Sequence, residues 1–125
     1  MRASTTGWRP ASISMQADMF DPTYDVPWAN DSAFKPLVEE LVKQSNAFRG
    51  PVYLFNGDSH VYNTDKPLAA GSKWLSFYGV TGSAGNLTRV TVDGSSNNAD
   101  WLKVRVVDGP QVLTWQRVPY TVQAH

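Results

Sequence analysis

Two periods of hydrophobic and polar positions run along this chain, and the switches between them mark its elements. Phe34, Leu37, Val38, Leu41, Val42 and Phe48 recur three and four residues apart, the spacing of one helical face. Asp31 or Ser32 is the expected N-cap. Pro36 fits only a first turn, so the helix should start close to Ala33 and stop at Gly50-Pro51. Glu39 and Lys43 form an i, i+4 pair on its outer face. Val52 to Phe55 is then a continuous apolar run, as in a buried central strand. Upstream, Ala11 to Gln16 alternates like a short strand. These three segments predict a β-α-β unit whose helix packs on a sheet face.

The rest of the chain reads as β. Val61 to Pro67 is expected to be an irregular loop, Ala69 to Ser72 a turn, and Trp74 to Val80 a strand ahead of a glycine-rich stretch. Leu87 to Val92 alternates, with Thr88, Val90 and Val92 on one face and Leu87, Arg89 and Thr91 on the other. Trp101 to Val107 and Val112 to Val118 flank Asp108-Gly109-Pro110 and predict an antiparallel hairpin, with Leu102, Val104 and Val106 inward and Lys103 and Arg105 outward. The expected fold class is α/β: a β-α-β unit followed by about four antiparallel strands. Residues 1–10 read as an irregular lead-in, 11–118 as the folded portion and 119–125 as a tail. Pro22 and Pro27 bracket a loop carrying Tyr24 and Trp28.

Composition narrows the chemistry. A chain that is 42% hydrophobic and 12% aromatic can bury a core. Eleven basic residues balance eleven acidic ones, so no bulk electrostatic grip on nucleic acid or an anionic membrane is expected. The absence of cysteine removes thiolate metal sites and cysteine nucleophiles. No apolar run approaches the ~20 residues that span a bilayer, and the opening residues lack the apolar core of a signal peptide. The sequence does not fix a compartment. The sequons at Asn30 and Asn86 carry meaning only in a secreted protein.

The chemistry-bearing stretch is Asn56-Gly-Asp-Ser-His60, after the most apolar strand. Carboxylate and imidazole two residues apart are a ligand pair suited to Zn, Fe or Mn, and Gly57 permits a sharp turn. Further ligands must come from elsewhere. Gln16, Asp18 and Asp21, at the end of the preceding strand, are nearest if the two strands are parallel neighbours. The same residues admit two other readings. Asn56-Gly57 is a hairpin-turn signal, which would leave Asp58 and Ser59 as turn caps and His60 as a strand histidine in a non-enzymatic binding module. Gly57-Asp58-Ser59 also matches the nucleophile block of GDSL-type esterases, with Ser59 as nucleophile, but no Asp-x-x-His follows to supply a base.

Pro51-Val-Tyr-Leu-Phe-Asn-Gly-Asp-Ser-His60, with Gln16 to Asp21, Asn86 to Val90 and Trp101 to Val104, resembles the C-terminal segment of bacterial calcineurin-like metallophosphoesterases. The resemblance runs from about Ser14 to Val106. It implies part of an αββα sandwich in which two divalent ions (Mn, Fe or Zn) hydrolyse phosphate esters. Gly57-Asp58-Ser59-His60 then takes the place of the final Gly-His-x-His, making His60 and Asp58 metal ligands, with Asp58 where the family has histidine. Gln16 falls near the family's lone strand-end histidine. Arg89 or Lys66 is a phosphate contact on this reading and a solvated charge otherwise. The register that makes Asp58-Ser-His60 the family's opening Asp-x-His fails, because no Gly-Asp-x-x-Asp or Gly-Asn-His follows. The resemblance therefore implies a C-terminal part, inactive alone, whose partner is the N-terminal part of the same domain.

Overall fold

Val52–Asn56 forms β2, and its apolar run puts it inside a four-stranded sheet. The computed structural model describes residues 9–21, 32–94, 96 and 98–120. The lead-in up to residue 8, the loop carrying Tyr24 and Trp28, the Asp31 cap and the chain beyond Tyr120 lie outside the described residues. Ala11–Ser14, β1, pairs in parallel with β2 from Ala11↔Val52 to Ser14↔Phe55. Between them α1, Lys35–Ala47, carries Pro36 in its first turn as expected. Ser32 shapes the entry by accepting the Phe34 amide at 3.1 Å. Val38, Leu41, Val42 and Ser45 face the sheet, while Leu37, expected on that face, is exposed. The stop comes earlier than Gly50: Phe48 turns to extended backbone and caps the helix by donating to the Gln44 and Ser45 carbonyls, while Gly50 lets the Arg9 carbonyl approach, since a Cβ there would come within 2.9 Å of it. Asn86 Nδ2 donates to the Ser45 carbonyl in the last helical turn and to the Gly50 carbonyl beyond it, both at 2.8 Å.

Three expectations are corrected beyond β2. The loop at Val61 to Pro67 contains a short strand, β3, Asn63–Asp65. Trp74 to Val80 is not a strand. Lys73–Tyr78 is a helix, α2, with Ser72 Oγ accepting the Trp74 amide and Gly79 closing it at φ 63°. Trp74 and Tyr78, four apart, turn inward and meet the edges of Phe20 at 5.8 and 6.1 Å. Leu87–Thr91, β4, runs parallel to β2, not antiparallel, and β3 pairs antiparallel on its far side. The sheet order is β1-β2-β4-β3. Val52, Leu54 and Leu87 join the helices in one core with Met19, Phe20 and Leu68.

The opposite sheet face carries Tyr53 and Phe55, and the predicted hairpin covers it. Asp100–Val106, β5, pairs with Leu113–Pro119, β6, from Asp100↔Pro119 to Val106↔Leu113. β6 lies nearer the sheet. Leu113 is buried, Trp115 meets the Tyr53 ring edge-on at 5.7 Å, and Tyr53 Oη donates to the Gln111 carbonyl. β5 is the outlying strand, so Val104 and Val106, expected inward, are exposed at 42% and 79%. The chain is thus a mixed α/β fold with a mixed sheet and a small antiparallel sheet. Among the described residues no helix is long and apolar enough to cross a membrane.

Candidate functional site

The carboxyl ends of β1 and β2 lie side by side because the strands are parallel neighbours. The ladder continues one step past both: Met15 donates to the Phe55 carbonyl and Gly57 to the Gln16 carbonyl, at 3.0 and 3.1 Å. The chain then enters a tight loop in which Asp58 and His60 both have left-handed backbone, φ 73° and 65°. Side chains other than glycine avoid that region, and they persist there where surrounding contacts hold them. Asn56-Gly57 is not a hairpin turn, since β2 does not pair with β3.

Alternate residues of this loop take opposite roles. Asp58 is exposed and accepts a hydrogen bond from Gln16 Nε2 at 3.3 Å. His60 is exposed, its carbonyl accepting the Gly94 amide and its ring lying against Gly94, where a Cβ would come 3.3 Å from Cδ2. Ser59, between them, turns inward and donates to Asp18 Oδ2 at 2.9 Å. The Ser59 hydroxyl is thus engaged with a carboxylate that is itself buried. The structure therefore brings Gln16, Asp58 and His60 to one rim. Among the described residues no three of His, Cys, Asp or Glu converge to hold a metal.

Asp18 and Arg89 are placed differently from their expected roles. Asp18 is 1% exposed, and its Oδ1 accepts from the Phe20 amide and from Arg89 Nη1 at 2.7 Å. Arg89, also 1% exposed, grips Asp65 through Nε and Nη2 at 2.7 and 2.8 Å and donates to the Phe20 carbonyl. Burial alone lowers its pKa, but the hydrogen bonds and charges of Asp65 and Asp18 outweigh that and raise it. Arg89 is thus neither a solvated charge nor, with its donors so engaged, an open phosphate contact. It ties β4 to β3 and to the loop after β1. Lys66 donates to the Gly85 carbonyl at the amino end of the sheet, away from the Asp58 loop.

A second polar cluster, which the sequence reading missed, flanks His60. Asp93 accepts the Tyr62 amide at 2.8 Å and an Arg117 Nη2 bond at 2.6 Å, and Arg117 also reaches Asp100 at 3.1 Å. The guanidinium lies over the Tyr62 ring at 4.5 Å, and Trp115 Nε1 donates to Tyr62 Oη at 3.0 Å. Burial raises the Asp93 pKa, but the Tyr62 amide and Arg117 outweigh it, and the net shift is downward. Arg117 lies 17 residues from Asp100 and 24 from Asp93 along the chain, so only tertiary pairing reveals the cluster. A cavity of about 840 Å³ lies elsewhere, between the hairpin and the amino ends of β2 and β4, lined by Tyr53, Thr88 and Trp115. At the buried end of β2, Asn56 Oδ1 accepts from Thr91 Oγ1 at 2.8 Å, while its Nδ2 has no partner among the described residues.

Comparison of the chain with protein-family models, with curated proteins and with solved structures gave no match.

Proposed function

We propose that this chain is the C-terminal part of a metal-dependent phosphoesterase of the calcineurin-like, αββα kind. On this reading Asp58 and His60 form one wall of a two-metal site whose other ligands lie outside this sequence. The observation that carries the reading is the rim itself. A carboxylate and an imidazole stand on alternate left-handed residues, at the carboxyl end of the central parallel strand. Ligand sites of open α/β sheets form at such ends. Gln16 orients Asp58 from the neighbouring strand end, and Ser59 fixes the loop through Asp18. Divalent ions bound in such a site polarise the phosphoryl oxygens of a phosphate ester and lower the pKa of a bound water. Asp58 and His60 are donors of the type such ions take.

The test is titration of the chain with Mn²⁺ or Zn²⁺, followed by calorimetry and by the His60 ring signals in NMR. Weak binding is expected, abolished in His60→Ala and reduced in Asp58→Ala, with circular dichroism unchanged. Metal binding indifferent to both substitutions would favour a non-enzymatic binding module instead. Rapid phosphodiester turnover by the isolated chain would overturn the incompleteness of the site.

A further inference from the structure

We infer that a pocket beside the His60 loop is a subsite for a flat, uncharged ring, the aryl or nucleobase portion of the site's ester substrate. The assignment to a substrate rests on the phosphoesterase reading, whereas the ring-binding pocket does not. The pocket, about 280 Å³, opens between the end of β4 and the base of the hairpin. That is just under the roughly 300–1,000 Å³ of drug-sized ligand sites, enough for a ring system and too little for an extended polymer. It adjoins the candidate site directly. Tyr62, in its wall, is two residues past His60, and Asp93, also in its wall, precedes the Gly94 on which the His60 ring rests.

Its walls are of two kinds. Tyr62 and Arg117 are locked before any ligand arrives: the ring is held by Trp115 and by the guanidinium, and the guanidinium by Asp93 and Asp100. Such preorganisation removes ordering costs from binding. Trp101 and Tyr120 line the same pocket yet remain 45% and 53% exposed. Their rings present faces on which a planar group can stack. Charge sets the remaining preference. One guanidinium faces two carboxylates, so the wall carries a net charge of minus one. An anionic ring is repelled there, whereas a neutral ring with hydrogen-bond acceptors can stack and meet Arg117. The two carboxylates also keep Arg117 from acting as a bare phosphate clamp, which leaves the phosphoryl end to the Asp58 side.

The experiment follows the indole N–H signals of the ¹⁵N-labelled chain on addition of adenosine, phenol, ribose or benzoate at millimolar concentration. Adenosine or phenol should shift the Trp101 signal saturably, ribose and benzoate should not, and the pair of planar probes tells nucleobase from simple aryl recognition. Trp101→Ala, followed through the Trp115 indole signal because Trp115 donates to Tyr62 in the pocket wall, and Tyr120→Ala, both at exposed positions, should each weaken binding by up to about tenfold. Val106→Ala, at an exposed position on the same strand as Trp101, should leave it unchanged. His60→Ala should leave ring binding intact while abolishing the Mn²⁺ response. Absence of saturable shifts, or binding by both aromatic variants as tight as that of the parent chain, overturns the subsite even where Mn²⁺ still depends on His60. Ring binding with no dependence of Mn²⁺ on His60 overturns the phosphoesterase reading and leaves the pocket standing.

Discussion

Arg89 shows how much one residue can organise. A guanidinium with 1% exposure between Asp18 and Asp65 is tolerable only because its donors meet carboxylates and a carbonyl. Removing it strands Asp18, which is equally buried, while Asp65 is partly exposed and can be solvated. Arg89→Ala should therefore cost about 3–5 kcal/mol, the cost of leaving a buried charge unpaired. Arg89→Lys should recover only part of this, because an ammonium cannot reproduce the fork that grips Asp65. The urea midpoint at neutral pH checks both, and a loss under about 1 kcal/mol for Arg89→Ala would show that water reaches Asp18. The effect should spread to the candidate site, since Asp18 also holds Ser59 between Asp58 and His60. The sequence placed Arg89 on the correct face of its strand. It gave no sign that this face is buried on β4, because alternation records which residues share a side and not what covers that side.

The hairpin and the His60 loop are joined through Asp93 and Arg117, and this link has a pH dependence of known sign. The folded pKa of Asp93 is depressed, so its stabilisation is fully present above the ordinary aspartate value of about 3.9 and is lost as pH falls through the lower folded value. The difference in melting temperature between the parent chain and Asp93→Asn should thus be constant from neutral pH down to about pH 5 and shrink below about pH 4. A difference that instead grew on acidification would mean that Asp93 is not held ionised by Tyr62 and Arg117. Elements differ in how far the sequence announces them. α1 was legible because Val38, Leu41 and Val42 form a stripe and Pro36 marks the start. α2 was not: Trp74 to Val80 is apolar without a clear period, and its evidence lies in Ser72 and Gly79, a cap and a left-handed stop at either end. β3 was too short and polar to show any period. The direction of β4 was illegible for another reason, since a strand's alternation is the same whether its partner runs parallel or antiparallel.

On the scale of the whole molecule, the layers should differ in local stability. β2 and β4 each have a neighbour on both edges, with helices on one face and the hairpin on the other. Among the described residues β5 pairs only with β6 and leaves Trp101, Val104 and Val106 exposed. Local opening is easiest where few apolar contacts are lost. Amides of β2 and β4 should therefore exchange with solvent only on global unfolding, and those of β5 at least about tenfold faster, equivalent to ~1.4 kcal/mol. Equal protection of β5 and β2 would show that sheet and hairpin open as one unit. The gradient bears on the candidate site because its parts hang from different layers. Asp58 and His60 follow the end of β2, the strand expected to be most protected, whereas Trp101 and Arg117 belong to the hairpin. The metal-facing rim is thus set by the rigid sheet and the ring pocket by the element that opens first. A ring-shaped ligand should in consequence slow exchange in β5 and β6 while leaving β2 unchanged, and a metal ion at His60 should slow exchange in the Gly57–His60 loop and leave the hairpin as it was.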